Sequence, residues 1–431
     1  MGSNSEREEI ARMGMTITEK ILARAAGLPT VKAGQIIDVA VDLAMFHDGL
    51  GPLFYPLFRE LEVPIWDPDK VAVVIDHASP PSSVLQTEWV TDTLKFVEEF
   101  KLPNFYNMQG IAHQILPEEG FIKPGNIVVG TDSHTCTYGA LGAFSTGIGS
   151  TEMAGVLATG KLWFRVPESI KFEVNGKLDA MVMAKDIILK VLGLIGTSGA
   201  TYKAMEFTGE TISDLSVDGR LTICNMVVEA GAKNGIVAPD MITSDYLAQR
   251  TTAPEVSIQL AGDKDAAYHR VLTIDASQLE PQVACPHNPG NVAGITEVSG
   301  VKVHQVLIGT CTGGRMEDFR AAAQIMQGEK VPRGVRCLIL PASMRIYRQL
   351  LEENLLPIFI DAGCIICNPN CGPCGGLHQG LIGKGEVCVG THNRNFKGRM
   401  GSSDGQVYLA SPATAAAAAI AGELVDPRHF V

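Results

Sequence analysis

The chain has 431 residues, carries 35 Lys+Arg against 47 Asp+Glu for a formal charge of −12, and is 46% apolar but only 6% aromatic. That apolar share excludes an intrinsically disordered chain. The acidic balance argues against a nucleic-acid binder working by phosphate neutralisation, and no apolar run reaches the ~18 residues needed to cross a bilayer.

Length suits roughly two to four domains with a large core. The opening stretch, MGSNSEREEIARMG, is polar and lacks an apolar signal core, so residues 1–14 read as a disordered lead or part of a tag. Ten cysteines fall short of disulfide-scaffold density. With no signal peptide the expected compartment is the reducing cytoplasm, where clustered cysteines read first as metal ligands or redox groups.

In chain order, strand-like runs at Val71–Ile75, 126–129, 169–174, 303–308, 335–340, 356–360 and 387–389 alternate with helical patterns at 88–100, 151–162, 179–194, 224–232, 317–327, 342–353 and 412–422. The alternation predicts a layered α/β protein. A break at Cys285–Val292 (CPHNPGNV) suggests a boundary. Four strands run straight into polar or sulfur chemistry. VAVVI is followed by Asp76-His77, and NIVVG by Thr131-Asp132-Ser133-His134. VLIGT is followed by Cys311-Thr312-Gly313-Gly314, and VCVGT by His392-Asn393-Arg394-Asn395. Ligand sites in open α/β sheets lie beyond the carboxyl ends of strands, so four such tips predict one site built from several loops. Any single tip could be no more than a turn.

Cys364, Cys367, Cys371 and Cys374 form two C-x-x-C pairs within AGCIICNPNCGPCGG. The pairs sit closer together than the usual structural zinc spacing, and the run differs from the two-cluster ferredoxin spacing. Glycines let backbone approach an inorganic cluster, and Cys311 at a distant strand tip is a natural third ligand. Spacing alone leaves iron–sulfur and zinc both open.

The segments GTDSHT, IGTCT, CGPC and HNRNFKGR, in this order, resemble the aconitase superfamily, from about Met15 to the C-terminus. The length and the stretch from Gly130 to Ile170 look most like the large subunits of 3-isopropylmalate dehydratase and its homoaconitase and 2,3-dimethylmalate dehydratase relatives. The resemblance implies an α/β fold of three-layer αβα domains around a shared iron–sulfur site, without the swivel domain. Domains 1 and 2 would span residues 15–290, and domain 3, with the cluster cysteines, residues 291–431.

It further implies a [4Fe–4S] cluster held by Cys311, Cys371 and Cys374, with the fourth iron left open to substrate as a Lewis acid. Cys364 and Cys367 fall outside the family's ligand positions and read as buried small hydrophobes. The reaction implied is dehydration of a substituted malate and rehydration at the neighbouring carbon, with isopropylmalate isomerisation in leucine biosynthesis the first expectation. Asp76-His77, His113, Asp132 and His134 match the family's catalytic motifs, and Ser133 is expected to bind substrate. Asn225 and Glu229, four apart and read as one helix face, would lie at the cluster, with Glu229 catalytic. Asn393 would bond a cluster sulfide or cysteine. Arg394 and Arg399 would grip substrate carboxylate through planar guanidinium forks.

Two departures stand out. Gly313 replaces the family's asparagine in Cys-Thr-Asn, and Ser402 lies in a Gly-Ser-Ser sequence followed by Asp404 rather than arginine, so it is not read as the catalytic serine. Only 32 residues follow Arg399, and the resemblance then implies that the swivel domain, with the base, is a separate small subunit. Two alternatives come from other classes: an electron-transfer iron–sulfur protein, and a regulatory RNA-binding role, against which the charge of −12 argues. No nucleic-acid or membrane partner is expected.

Overall fold

The computed structural model describes residues 14–251 and 260–431. The expected N-terminal lead therefore lies outside the described residues, except for Gly14. Three parallel sheets organise the chain. The first orders its strands Asn104–Asn107, Val71–Ile75, Leu43–His47, Ile127–Gly130, Phe144–Gly147. The second orders Asn234–Val237, Ala204–Thr208, Ser169–Asn175, Arg270–Asp275. The third has a parallel core of Gln406–Leu409, Val387–Gly390, Gln305–Gly309, Arg336–Leu340 and Ile365–Ile366, extended antiparallel by Gln282–Ala284 and Val292–Gly294. The central strands VAVVI and QVLIG are buried at every position, as expected of parallel strands covered on both faces. Because Gln282–Ala284 belongs to the third sheet, that unit begins before the expected division at residue 290.

Strand order reverses in each sheet; in the first and third it does so between Leu43–His47 and Ile127–Gly130, and between Gln305–Gly309 and Val387–Gly390. Such switch points open crevices at the carboxyl ends of the strands, and those ends carry the polar motifs.

Several boundaries differ from the sequence reading. Residues 356–360 form no strand but lie in the helix Leu356–Ala362. Pro357 sits in its first turn, where a missing N–H costs nothing, and Leu356, Phe359 and Ala362 are buried at helical spacing. The helix expected over 151–162 is Ser150–Thr159, stopped by Gly160 in the left-handed conformation, and Lys161–Arg165 is a strand paired with Ile36–Ala40. A Cβ on Gly160 would also meet the Trp66 ring at 2.4 Å. The segment 224–232 splits into the end of the α-helix Val217–Met226 and a 3₁₀ turn, Val227–Ala230. Asn225 and Glu229 therefore do not share one α-helical face. Among the described residues no helix is long and apolar enough to cross a membrane.

Candidate active site

One cavity at the meeting strand ends of the first and third sheets is lined by His47, Asp76, His77, Ala112, His113, Asp132, His134, Cys311, Cys371, Cys374, Gly375, Asn393 and Arg399. Ser133, Asn225, Glu229 and Arg394 are not on that wall. They bond to residues that are, or to one another, and so form the support behind it.

Local folding places each group. Asp48, just past Leu43–His47, accepts the backbone N–H groups of Asp76, His77 and Ala78 at 3.1, 3.1 and 2.7 Å, which fixes the turn after Val71–Ile75. Asp76 accepts the N–H of Ala112 through Oδ2 at 2.8 Å and bonds His77 Nδ1 through Oδ1 at 2.6 Å. The loop before His113 is stitched to the third sheet's segment by Ile111 N–H to the Ala342 carbonyl, 2.9 Å, and Met344 N–H to the Gln109 carbonyl, 2.8 Å. Gly110 is required there, since a Cβ would lie 2.6 Å from the Ala342 oxygen. Cys371 N–H donates to the Asp76 carbonyl at 2.8 Å and ties the cysteine loop to the acid–imidazole pair.

Three carboxylate–imidazole pairs result. They are Asp76–His77, Asp132–His113 (Oδ1 to Nε2, 2.8 Å) and Glu229–His134 (Oε1 to Nε2, 2.8 Å). Burial works against the His77 imidazolium, but the charges of Asp76, Asp48 and Asp132 outweigh it and lift its pKa to about 9. Burial likewise opposes the Asp132 and Glu229 carboxylates, yet their histidines, and Arg394 for Glu229, hold both below the ordinary range. Arg394 Nε donates to Glu229 Oε1 at 2.8 Å. Ser133 Oγ lies 3.2 Å from His134 Nδ1, and Tyr138 Oη lies 3.2 Å from His113 Nδ1. Both nitrogens of His113 and His134 are thus engaged, whereas the described residues provide His77 Nε2 with no partner.

His47 was not anticipated. Its ring stacks on His77 with centroids 4.0 Å apart, its Nδ1 accepts the Gly49 N–H at 3.1 Å, and its buried Nε2 has no hydrogen-bond partner among the described residues, with Asp132 Oδ2 3.8 Å away. Burial and the neighbouring His77 charge push its pKa down to about 4. The available signal was the same apolar-run-to-histidine pattern, LAMF followed by His47-Asp48.

The donor set suits a cluster with three thiolate ligands. Cys311, Cys371 and Cys374 line the same cavity. Asn225 Nδ2 donates to Cys311 Sγ at 3.3 Å, and Asn393 contacts both Cys311 (3.6 Å) and Cys374 (3.2 Å). The cysteine loop is also a glycine cradle: a Cβ on Gly376 would meet the Arg399 carbonyl at 2.6 Å. Arg399 lines the cavity with a buried Nε that has no partner among the described residues. Cys364 and Cys367 lie off the wall, at either end of Ile365–Ile366. Ser402 is off it too and accepts the Asp404 N–H. At Gly313 a Cβ would fall 2.3 Å from Thr391 Cβ, so the family's asparagine has no room here.

Residues 19–300 and 293–422 match the family described as "Aconitase family (aconitate hydratase)". The "Probable 3-isopropylmalate dehydratase large subunit" of Methanothermobacter thermautotrophicus is 51% identical over 417 residues, covering 96% of this chain and 99% of its own length. The 3-isopropylmalate dehydratase large subunit of Heliobacterium modesticaldum is 48% identical over 423 residues, covering 97% and 100%. The "Probable methanogen homoaconitase large subunit" of Methanosarcina mazei is 51% identical over 392 residues, covering 90% and 99%.

Proposed function

The chain belongs to the aconitase family, and from that premise we propose that it is the cluster-bearing large subunit of a cytoplasmic hydro-lyase that isomerises a substituted malate, with 3-isopropylmalate the first substrate and a homoaconitate-type acid the second. The observation that carries this reading is the convergence on one cavity of three thiols, three imidazoles each held by a carboxylate, and an arginine Nε without a partner among the described residues. The homoaconitase alternative rests on a relative of that name with the same 51% identity.

Cys311, Cys371 and Cys374 would hold a [4Fe–4S] cluster. When bound, it supplies a Lewis acid to the substrate's hydroxyl and carboxylate oxygens. The protein's own groups do the rest. Arg399 offers a guanidinium fork to a substrate carboxylate. His77, protonated and oriented by Asp76, gives its Nε2 proton to the departing hydroxyl. Asp132–His113 and Glu229–His134 hold the remaining wall in fixed tautomers, and Arg394 fixes Glu229. The base that removes the α-proton is assigned to a separate small subunit, in line with the "large subunit" names of the relatives.

The test is anaerobic cluster reconstitution, addition of a small subunit, and alkene absorbance across a panel of malate derivatives. Turnover of 3-isopropylmalate supports the reading. No turnover of any member by a cluster-loaded pair refutes it.

A further inference from the structure

Lys185 lies in the first turn of the helix Ala184–Ile195, in the unit built on the second sheet, and is 1% exposed. Its Nζ crosses into the third sheet's strand ends. It donates to the Thr391 carbonyl at 2.7 Å, the His392 carbonyl at 2.8 Å and Thr312 Oγ1 at 3.2 Å. Thr312 follows Cys311, and His392 precedes Asn393, whose amide touches both Cys311 and Cys374. Thr312 Oγ1 in turn donates to the Thr391 carbonyl at 2.7 Å, so the three acceptors form one knot between the two loops.

All three acceptors are neutral, and among the described residues Lys185 makes no salt bridge. The carboxylate of its neighbour Asp186 is turned away and accepts the backbone N–H groups of Met183 and Gln282. A buried ammonium with no carboxylate in contact is costly, and an anion that completes the site offsets that cost. Burial pushes the Lys185 amine down to about 7, and the charges of Cys311, Asp318, Cys374 and Asp186, in that order, act to keep it protonated. Three thiolates outweigh the positive charge of an oxidised [4Fe–4S] core, so a loaded site is itself a buried anion.

We propose that Lys185 is a positioning residue for the cluster. Its ammonium pins the Cys311 loop to the Asn393 loop and supplies the counter-charge to the thiolate-ligated centre. The inference rests on the cluster reading above. Net charge around an iron–sulfur centre sets its reduction potential, so removing this cation makes the centre harder to reduce.

The test is an EPR-monitored redox titration of the reconstituted full-length protein, comparing wild type with Lys185→Met and Lys185→Arg, and with circular dichroism of each apo form to establish folding. The expected result is a more negative midpoint potential for K185M and recovery toward the wild-type value for K185R. Lys185→Gln repeats the neutral substitution if methionine prevents folding. A neutral variant with the wild-type midpoint overturns the inference alone, as does an arginine variant shifted as far as methionine. A wild-type protein that reconstitutes no iron–sulfur centre overturns the cluster reading and this inference with it.

Discussion

Asp76 Oδ1 lies 2.6 Å from His77 Nδ1, and the same carboxylate's Oδ2 is held by the Ala112 N–H at 2.8 Å. The acid is pinned at both oxygens, so it fixes the imidazole's tautomer and leaves Nε2 as the ring nitrogen available to the cavity. His77→Asn is expected to lower kcat by about 10²–10⁴-fold, the usual worth of a positioned acid, with KM changed far less. Asp76→Asn keeps the shape and loses the orienting charge, so it falls between wild type and H77N. Steady-state kinetics of the two-subunit enzyme checks both.

Arg399 presents to the cavity a buried Nε with no partner among the described residues, whereas Arg394 spends its Nε on Glu229. Arg399→Lys keeps the charge and removes the fork. Losing a charge-assisted hydrogen bond worth about 1.5–3 kcal/mol predicts a KM rise of roughly 10- to 100-fold. Arg394→Lys acts through Glu229 and His134, so its loss is expected mainly in kcat.

Substituting Cys311, Cys371 or Cys374 by serine should each abolish stoichiometric iron binding after reconstitution. Cys364→Ser and Cys367→Ser should retain it, because neither residue lines the cavity. Iron and sulfide analysis of the five proteins separates the two groups.

Gly313→Asn restores the family's residue into space occupied by Thr391. Overpacking of this kind costs about 1–3 kcal/mol. Urea denaturation of the apo protein should show a lower midpoint with an unchanged slope.

Fully buried Arg220 donates to both oxygens of Asp240, at 2.8 and 2.6 Å. Burial alone would raise the Asp240 pKa, but the Arg220 bonds and the Thr243 N–H hold it below the ordinary aspartate value. A depressed folded-state pKa contributes stability that is present above about pH 4 and lost as pH falls through the lower folded value. Asp240→Asn is expected to cost roughly 2 kcal/mol at neutral pH, less than a fully enclosed pair because Asp240 is partly exposed. It should also flatten the acid limb of the stability profile.

Much of the site was legible because its residues sit in local signatures: a β-branched run that ends in Asp-His, Asp-Ser-His or Cys-Thr marks a strand tip whatever the rest of the chain does. His47 escaped because its strand, LAMFH, is short and reads weakly as β. Lys185 had no local signal, since a lysine at the start of an amphipathic helix reads as solvent-facing and its partners lie 127 to 207 residues away. The segment 356–360 misled because composition favoured a strand, while Pro357 at a helix start was the stronger cue. Asn225 and Glu229 were matched by motif, but the switch from α to 3₁₀ geometry between them is a tertiary effect that spacing does not reveal.

The proposed chemistry requires an iron–sulfur cluster with three protein ligands and one iron left for substrate. Mössbauer spectroscopy of the ⁵⁷Fe-reconstituted protein, with and without 3-isopropylmalate, tests it most directly. The expected spectrum is that of a [4Fe–4S] centre in which a single iron site shifts when the acid is added. Four irons indifferent to the panel of malates, or stoichiometric zinc in place of iron, would contradict it.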